Sequence, residues 1–182
     1  MGRLTPFEIR AALESMVVLV DTREQDTRAL RARLDTMGCP WERGKLDVGD
    51  YGCAYCSADG NRVKLLTFIE RKMSIDELCA CFTRERGRFE REFLRAREQG
   101  AKLHLLVENA AWDKILLHRY RSRMNPDALS ASILAWSARY DMQLHFCKPE
   151  HTGRMIYKIL RYELKELLER EGGCDGKGMD TA

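Results

Sequence analysis

Apolar positions along the chain follow two periods that alternate from one end to the other. Short, unbroken apolar and β-branched runs occur at 16–21, 102–108 and 142–147, and they predict buried strands. Between them, apolar residues recur every three to four positions and predict helices. A helix over 1–15 opens with Thr5 as N-cap, Pro6 in its first turn and Glu8 closing a capping box. The stretch 22–38 predicts a loop and then a helix bearing Leu30, Leu34 and Met37 and ending at Gly38. Residues 41–56 predict strand, tight turn and strand. Residues 57–62 predict a hairpin turn around Asp59-Gly60, with 63–72 as the returning strand. A second capping box, Ser74 to Glu77, opens a helix carrying Leu78 and Phe82, and an arginine-rich helix covers 84–98. Residues 112–124 predict a short helix running into a basic loop. Asn125-Pro126 starts a helix with Leu129, Ile133, Trp136 and Tyr140, and a last helix spans about 151–170 with Ile156, Ile159, Leu160, Leu164 and Leu167. Strands interleaved with helices predict an α/β fold: a central mixed β-sheet flanked by helices on both faces, in a single domain over 1–171. The segment 172–182 has no apolar pattern and is expected to be a disordered tail.

Composition narrows the class without changing the fold. The 182 residues are 45% hydrophobic and 32% charged, the balance of a soluble globular protein. No apolar run approaches the roughly 20 residues that span a bilayer, and the N-terminus shows no signal-peptide core, so a cytoplasmic location and no membrane partner are expected. Seven cysteines without framework spacing fit reduced thiols. Cys53 and Cys56 have the spacing of half a zinc site, but no second pair is well placed to complete it, and a strand would point them to opposite faces. The net charge of +3 permits a nucleic-acid partner without requiring one.

The unusual feature is "FIERKMSIDE" at 68–77, where an apolar strand ends in three consecutive charges. Residues two apart on a strand share a face, so Glu70 and Lys72 point together and Arg71 points away. If the hairpin folds around Asp59-Gly60, Asp50 returns beside Glu70. Two carboxylates and a lysine suit phosphodiester hydrolysis, with oxygen ligands for a divalent cation and an ammonium to stabilise charge on phosphorus. On these residues alone, a salt bridge at a sheet edge, worth about 0–1 kcal/mol, explains them as well.

The larger pattern is more specific. "LVDTREQ" (19–25), "LDVGDY" (46–51) and "FIERKMSID" (68–76) resemble the nuclease domain of the XPF family of structure-specific endonucleases, which carries G-D, a variable gap, then E-R-K-x-x-x-D. The resemblance runs from about 17 to about 150 and implies a restriction-endonuclease-like core. It implies Asp50, Glu70, Lys72 and Arg71 as catalytic residues, and Asp50, Glu70 and Asp21 as ligands of Mg²⁺ or Mn²⁺. Arg23, Glu24 and Asp76 are implied as supporting residues. Asp76 has an alternative role, a carboxylate meeting the dipole of the helix it starts. The implied reaction is metal-dependent cleavage of branched DNA (flaps, forks or junctions) in repair or recombination, leaving a 5′-phosphate and a 3′-hydroxyl. The family also contains non-catalytic members that act as DNA-binding or scaffold modules. Those lose the E-R-K triplet or its acidic partner, and both are intact here.

Two basic clusters are candidates for DNA contacts. Arg84, Arg88, Arg91 and Arg95 fall on one side of the helix over 84–98, opposite Phe82, Phe89, Phe93 and Ala96. Arg119, Arg121 and Arg123 lie in a stretch without acidic residues. Of these, Arg84, Arg88, Arg91, Arg119, Arg121 and Arg123 are expected to contact the phosphate backbone, although solvated charge explains such clusters equally well. Where the family often has Gln, this chain has Glu92. Many relatives add paired helix-hairpin-helix motifs after the nuclease domain; without them, self-association as a homodimer or a separate protein partner is expected.

Overall fold

The structure, a computed structural model, describes residues 4–173. Seven strands form one mixed sheet: β1 (Val17–Asp21), β2 (Trp41–Gly44), β3 (Tyr51–Cys56), β4 (Arg62–Lys64), β5 (Thr67–Lys72), β6 (Lys102–Glu108) and β7 (Gln143–Cys147). Their order is β2-β1-β3-β5-β6-β7, with β4 pairing on β3. β5, β6 and β7 run parallel, joined by helical crossovers, and β3 is antiparallel to both β1 and β5. The central strands are buried on both faces, which is why they read as continuous apolar runs.

Helices α1 (Pro6–Glu14), α2 (Arg28–Asp35) and α7 (Thr152–Gly173) cover one face. Helices α3 (Ile75–Phe82), α4 (Arg86–Glu98), α5 (Trp112–Leu116) and α6 (Pro126–Tyr140) cover the other. Alternation along β5 sorts its side chains between the two cores. Phe68 packs under α3, α4 and α6, whereas Ile69 packs under α1, α2 and α7. The helix starts follow the sequence: Thr5 and Glu8 form a complete capping box, Ser74 accepts from the Glu77 amide, and Asn125 caps α6.

Three expectations change. Residues 41–56 do not form a hairpin. β2 lies parallel to β1, with Trp41 opposite Val18, so the chain crosses β1 to reach β3. The connecting segment buries Leu46 and Val48, an apolar load that a solvent-exposed turn would not carry. The returning strand at 63–72 is also divided. β4 pairs with the far end of β3, the chain breaks at Leu65-Leu66, and β5 then adds parallel pairing to β6. At the break Leu65 is buried while Leu66 is exposed, so alternation resumes only at Thr67. Finally, α7 continues to Gly173, past the expected start of the tail; residues 174–182 lie outside the described residues.

Glu163 ties α7 to β6. It accepts from Lys102 Nζ at 2.6 Å and lies 3.2 Å from His104 Nε2. The His104 ring, ahead of Lys102, holds the Glu163 carboxyl down at about 2, well below 4.5. A depressed carboxylate contributes stability above its unfolded pKa and loses it as pH falls through the folded value. Glu163→Gln is therefore expected to lower the melting temperature at neutral pH, and the gap to wild type is expected to close between pH 4.5 and about 2. Thermal melts across that range check it; a gap that stays constant with pH would assign the loss to packing instead.

Candidate active site

Gly49 shapes the approach to the site. Its φ is +69°, and a Cβ there would stand 3.0 Å from the Ile69 carbonyl oxygen, so the glycine lets the chain turn tightly against β5. The next residue, Asp50, docks on β5 by its backbone, with its N–H donating to the Ile69 carbonyl at 2.8 Å. Its side-chain Oδ2 accepts the Arg71 N–H at 2.8 Å. Glu70 and Lys72 project from the same face of β5 and are 8% and 6% exposed. Lys72 Nζ donates to Glu70 Oε1 at 2.6 Å and stands 5.3 Å from the centre of the Phe89 ring. The strand alternation and the return of Asp50 both hold.

The electrostatics of the three groups are coupled. Burial, and then the neighbouring Glu70 carboxylate, push the Asp50 carboxyl up to about 8, against the opposing Arg71 N–H. Burial disfavours the Lys72 ammonium, but Glu70 outweighs it and raises the lysine above its ordinary value, so Lys72 is held charged. Asp50 Oδ1 and Glu70 Oε2 accept no hydrogen bond from the described residues. Two adjacent carboxylates, each with an uncommitted oxygen, could hold a hard divalent cation that takes its other ligands from water and a phosphate.

Asp21 adjoins Asp50, its N–H donating to the Asp50 carbonyl at 2.9 Å, and its carboxylate is bonded within the same segment. Oδ1 accepts from the Arg23 N–H and Nε, both at 2.7 Å; Oδ2 accepts from Leu46 N–H at 2.7 Å and Arg23 Nη2 at 3.3 Å. These four bonds fill the acceptor capacity of a carboxylate. Burial opposes ionisation of Asp21, but the Arg23 and Leu46 bonds together lower its pKa. Arg23 also reaches the carbonyls of Leu46 and Gly49 at 3.3 and 3.4 Å. The pair thus secures the 45–50 segment that presents Asp50. Among the described residues, no group of three or more His, Cys, Asp or Glu side chains is arranged to hold a metal ion.

Behind the sheet lies a polar cluster that sequence reasoning missed. Arg33 Nη1 donates to Tyr51 Oη at 2.6 Å and to Glu24 Oε2 at 3.3 Å, and Tyr51 Oη donates to Glu24 at 3.1 Å. Glu108 accepts from Thr152 Oγ1 at 2.8 Å and lies 3.4 Å from Arg71 Nη1. Arg71 therefore points away from Glu70, as its strand parity requires, while its backbone N–H holds Asp50. Glu24 belongs to this rear cluster, and its charge adds to the rise of Asp50.

In front, a cavity of about 280 Å³ contains Asp50, Glu70 and Lys72 and is lined by Arg23, Cys81, Glu85, Arg88, Phe89 and Glu92. Glu85, Arg88, Phe89 and Glu92 follow an i, i+3, i+4, i+7 stripe at the start of α4. Packing of Phe82, Phe89 and Phe93 around Trp136, with ring centres 5.0–5.3 Å from the indole, fixes that stripe over the site. Of the predicted DNA contacts, Arg88 lies at this cavity. Arg84 and Arg121 meet at a separate groove with Asp76, and Arg91, Arg119 and Arg123 are exposed.

A mixed sheet with helices on both faces, and a carboxylate pair beside a lysine on adjoining strand ends, define a restriction-endonuclease-like α/β domain. The ERCC4 domain model matches residues 20–159, and the chain belongs to that family. It is similar to XPF from Aeropyrum pernix, at 25% identity and a TM-score of 0.58 over 83% of this chain. It is equally similar to XPF from Aeropyrum pernix in complex with DNA, at 25% identity and a TM-score of 0.57 over 82% of this chain. The chain spans 66% of the length of each of those structures. No curated protein matches it.

Proposed function

We propose that this chain is a metal-dependent DNA endonuclease acting on branched DNA. The observation that carries the reading is the single cavity in which Asp50, Glu70 and a charged Lys72 face the Arg88 side chain. Asp50 and Glu70 would hold Mg²⁺ or Mn²⁺ through their uncommitted oxygens, and the cation would relieve the repulsion that raises Asp50. When bound, such an ion supplies Lewis-acid polarisation of a phosphoryl oxygen. Lys72 stabilises negative charge building on the scissile phosphate, from a position set by Glu70 and Phe89. Arg88 and Arg23 sit at the cavity wall, where they can bind the phosphates flanking the cut. Phe89 closes one side with apolar surface and limits water near the reacting group. Asp21 and Arg23 hold the Asp50 segment, and Arg71 fixes Asp50 through its amide.

Similarity to the XPF structure in complex with DNA supports the choice of nucleic acid. The test is cleavage of end-labelled duplex, flap, fork and junction DNA with Mg²⁺, Mn²⁺ or EDTA. Cleavage is expected with either metal, faster on branched substrates than on duplex, and absent in EDTA. Equal rates on all four substrates would remove branch selectivity, and no cleavage with either metal would overturn the enzymatic reading.

A further inference from the structure

Asp76 lies four residues beyond Lys72 in the first turn of α3, where its charge suits the helix dipole, but it does not cap that helix. The α3 cap is supplied by Ser74, whose Oγ accepts the Glu77 N–H at 3.2 Å. Asp76 Oδ1 instead accepts two backbone amides from a loop 45 residues away, Arg121 N–H at 2.8 Å and Ser122 N–H at 2.6 Å. Asp76 Oδ2 lies 3.9 Å from Arg121 Nε. Asp76 does not line the cavity holding Asp50, Glu70 and Lys72.

The loop it holds is internally braced. Tyr120 Oη donates to the Met124 carbonyl at 2.8 Å, Ser122 Oγ accepts the Met124 N–H at 3.2 Å, and the Arg119 N–H donates to Lys114 O at 2.7 Å. Tyr120 and Met124 pack against the core. The alternate residues, Arg119, Arg121 and Arg123, are left exposed, and the Arg121 side chain is 98% so. Asp76 thereby brings Arg121 to a groove of about 390 Å³ that Asp76 itself lines together with Ala80, Thr83, Arg84 and Ser122. Two guanidinium groups at one groove match the chemistry of a phosphodiester oxygen pair, whereas the Thr83 hydroxyl is already donated to the Cys79 carbonyl at 2.8 Å.

We propose that Asp76 is a positioning residue for nucleic-acid binding: it fixes the 117–124 loop so that Arg121, together with Arg84, grips a backbone phosphate away from the scissile bond. This rests on the nucleic-acid reading above. It makes a prediction opposite in sign to simple electrostatics. Deleting a negative charge beside two arginines should tighten DNA binding if charge alone matters, and should weaken it if the carboxylate orders the loop.

The experiment measures fluorescence anisotropy of labelled flap DNA in EDTA at several salt concentrations, with steady-state cleavage in Mg²⁺. Asp76→Ala is expected to weaken binding about tenfold and to raise KM with little change in kcat. Asp76→Asn keeps an oxygen acceptor for both amides and is expected to restore binding to within about twofold of wild type. Arg121→Glu should weaken binding and lower the salt slope by about one or more. Hydrogen exchange supplies a readout that needs no variant: the Arg121 and Ser122 amides should be protected in the wild-type protein without DNA. The proposal is overturned if Asp76→Ala binds as tightly as wild type, if its loss falls on kcat with KM unchanged, or if those two amides exchange at free-peptide rates. A wild-type protein that binds no DNA would instead defeat the nucleic-acid reading itself, whatever the amides show.

Discussion

Asp50→Asn is expected to abolish cleavage while making the metal-free protein more stable. The loss of activity should reach about a thousandfold, because the substitution removes one of the two carboxylates available to a cation and with it the alignment of the phosphate against Lys72. The gain in stability follows from the raised carboxyl. Asp50 sits at about 8 in the folded chain, above its ordinary value of 3.8, because burial and Glu70 disfavour its charge. The folded state therefore binds the proton more tightly than the unfolded state between those values, and wild-type stability falls as pH rises through that window. Asparagine keeps an acceptor for the Arg71 N–H and carries no charge to repel Glu70. Its melting temperature in EDTA should exceed that of wild type by about 3 °C, the shift roughly 1 kcal/mol produces in a domain of this size. The difference should be largest near and above pH 8 and vanish toward pH 4. Saturating Mg²⁺ should reverse the order, since only wild type gains binding energy from the ion. Melts in EDTA and in Mg²⁺ at pH 5 and pH 8.5, beside single-turnover cleavage, give the answer. An Asn variant that cuts DNA normally, or is less stable than wild type at pH 8.5 without metal, would sink this account of the site.

The strand carrying the site was readable because its signals are local. Alternation places Glu70 with Lys72 and turns Arg71 away, and the structure keeps that parity. The helix starts were readable for the same reason: Thr5, Ser74 and Asn125 cap through their own first turns. The position of β2 was not readable. Whether "WERG" pairs back on β3 or crosses to lie beside β1 depends on the 45–50 segment being held by Asp21 and Arg23, and that interaction spans 25 residues. The bonding of Asp21 was not readable on similar grounds. Its position next to the site suggests a ligand, while its carboxylate accepts from Arg23 and from the Leu46 N–H, the latter a contact that only the folded loop supplies. The rear cluster of Glu24, Arg33, Tyr51, Arg71 and Glu108 joins β1's following loop, α2, β3, β5 and β6, and no period in the sequence relates those positions.

Gly153→Ala is expected to cost about 3 kcal/mol or more, although the glycine lies within an ordinary-looking "HTGRM" and touches none of the catalytic candidates. A Cβ at this position would stand 2.0 Å from the Arg33 carbonyl oxygen and 2.6 Å from Thr36 Oγ1. The first obstacle is backbone, so relief requires α2 and α7 to move apart. The damage would not stop at packing. Thr152, the preceding residue, donates to Glu108, and Arg33, the residue struck, donates to Tyr51 and Glu24. Separating the helices pulls both from the cluster that meets Arg71, whose backbone N–H orients Asp50. Stability and catalysis should therefore fall together. Urea denaturation should show the loss for alanine, and valine should yield little folded protein, since a loss this size is a large share of the roughly 5–15 kcal/mol that holds a domain folded. Alanine should also reduce cleavage measured at a temperature where it remains fully folded, by more than a variant of equal instability on the solvent face of α7. An alanine variant within about 0.5 kcal/mol of wild type would mean that α2 and α7 are not held in this contact. Normal cleavage by a destabilised but folded alanine variant would mean that the rear cluster does not govern Asp50.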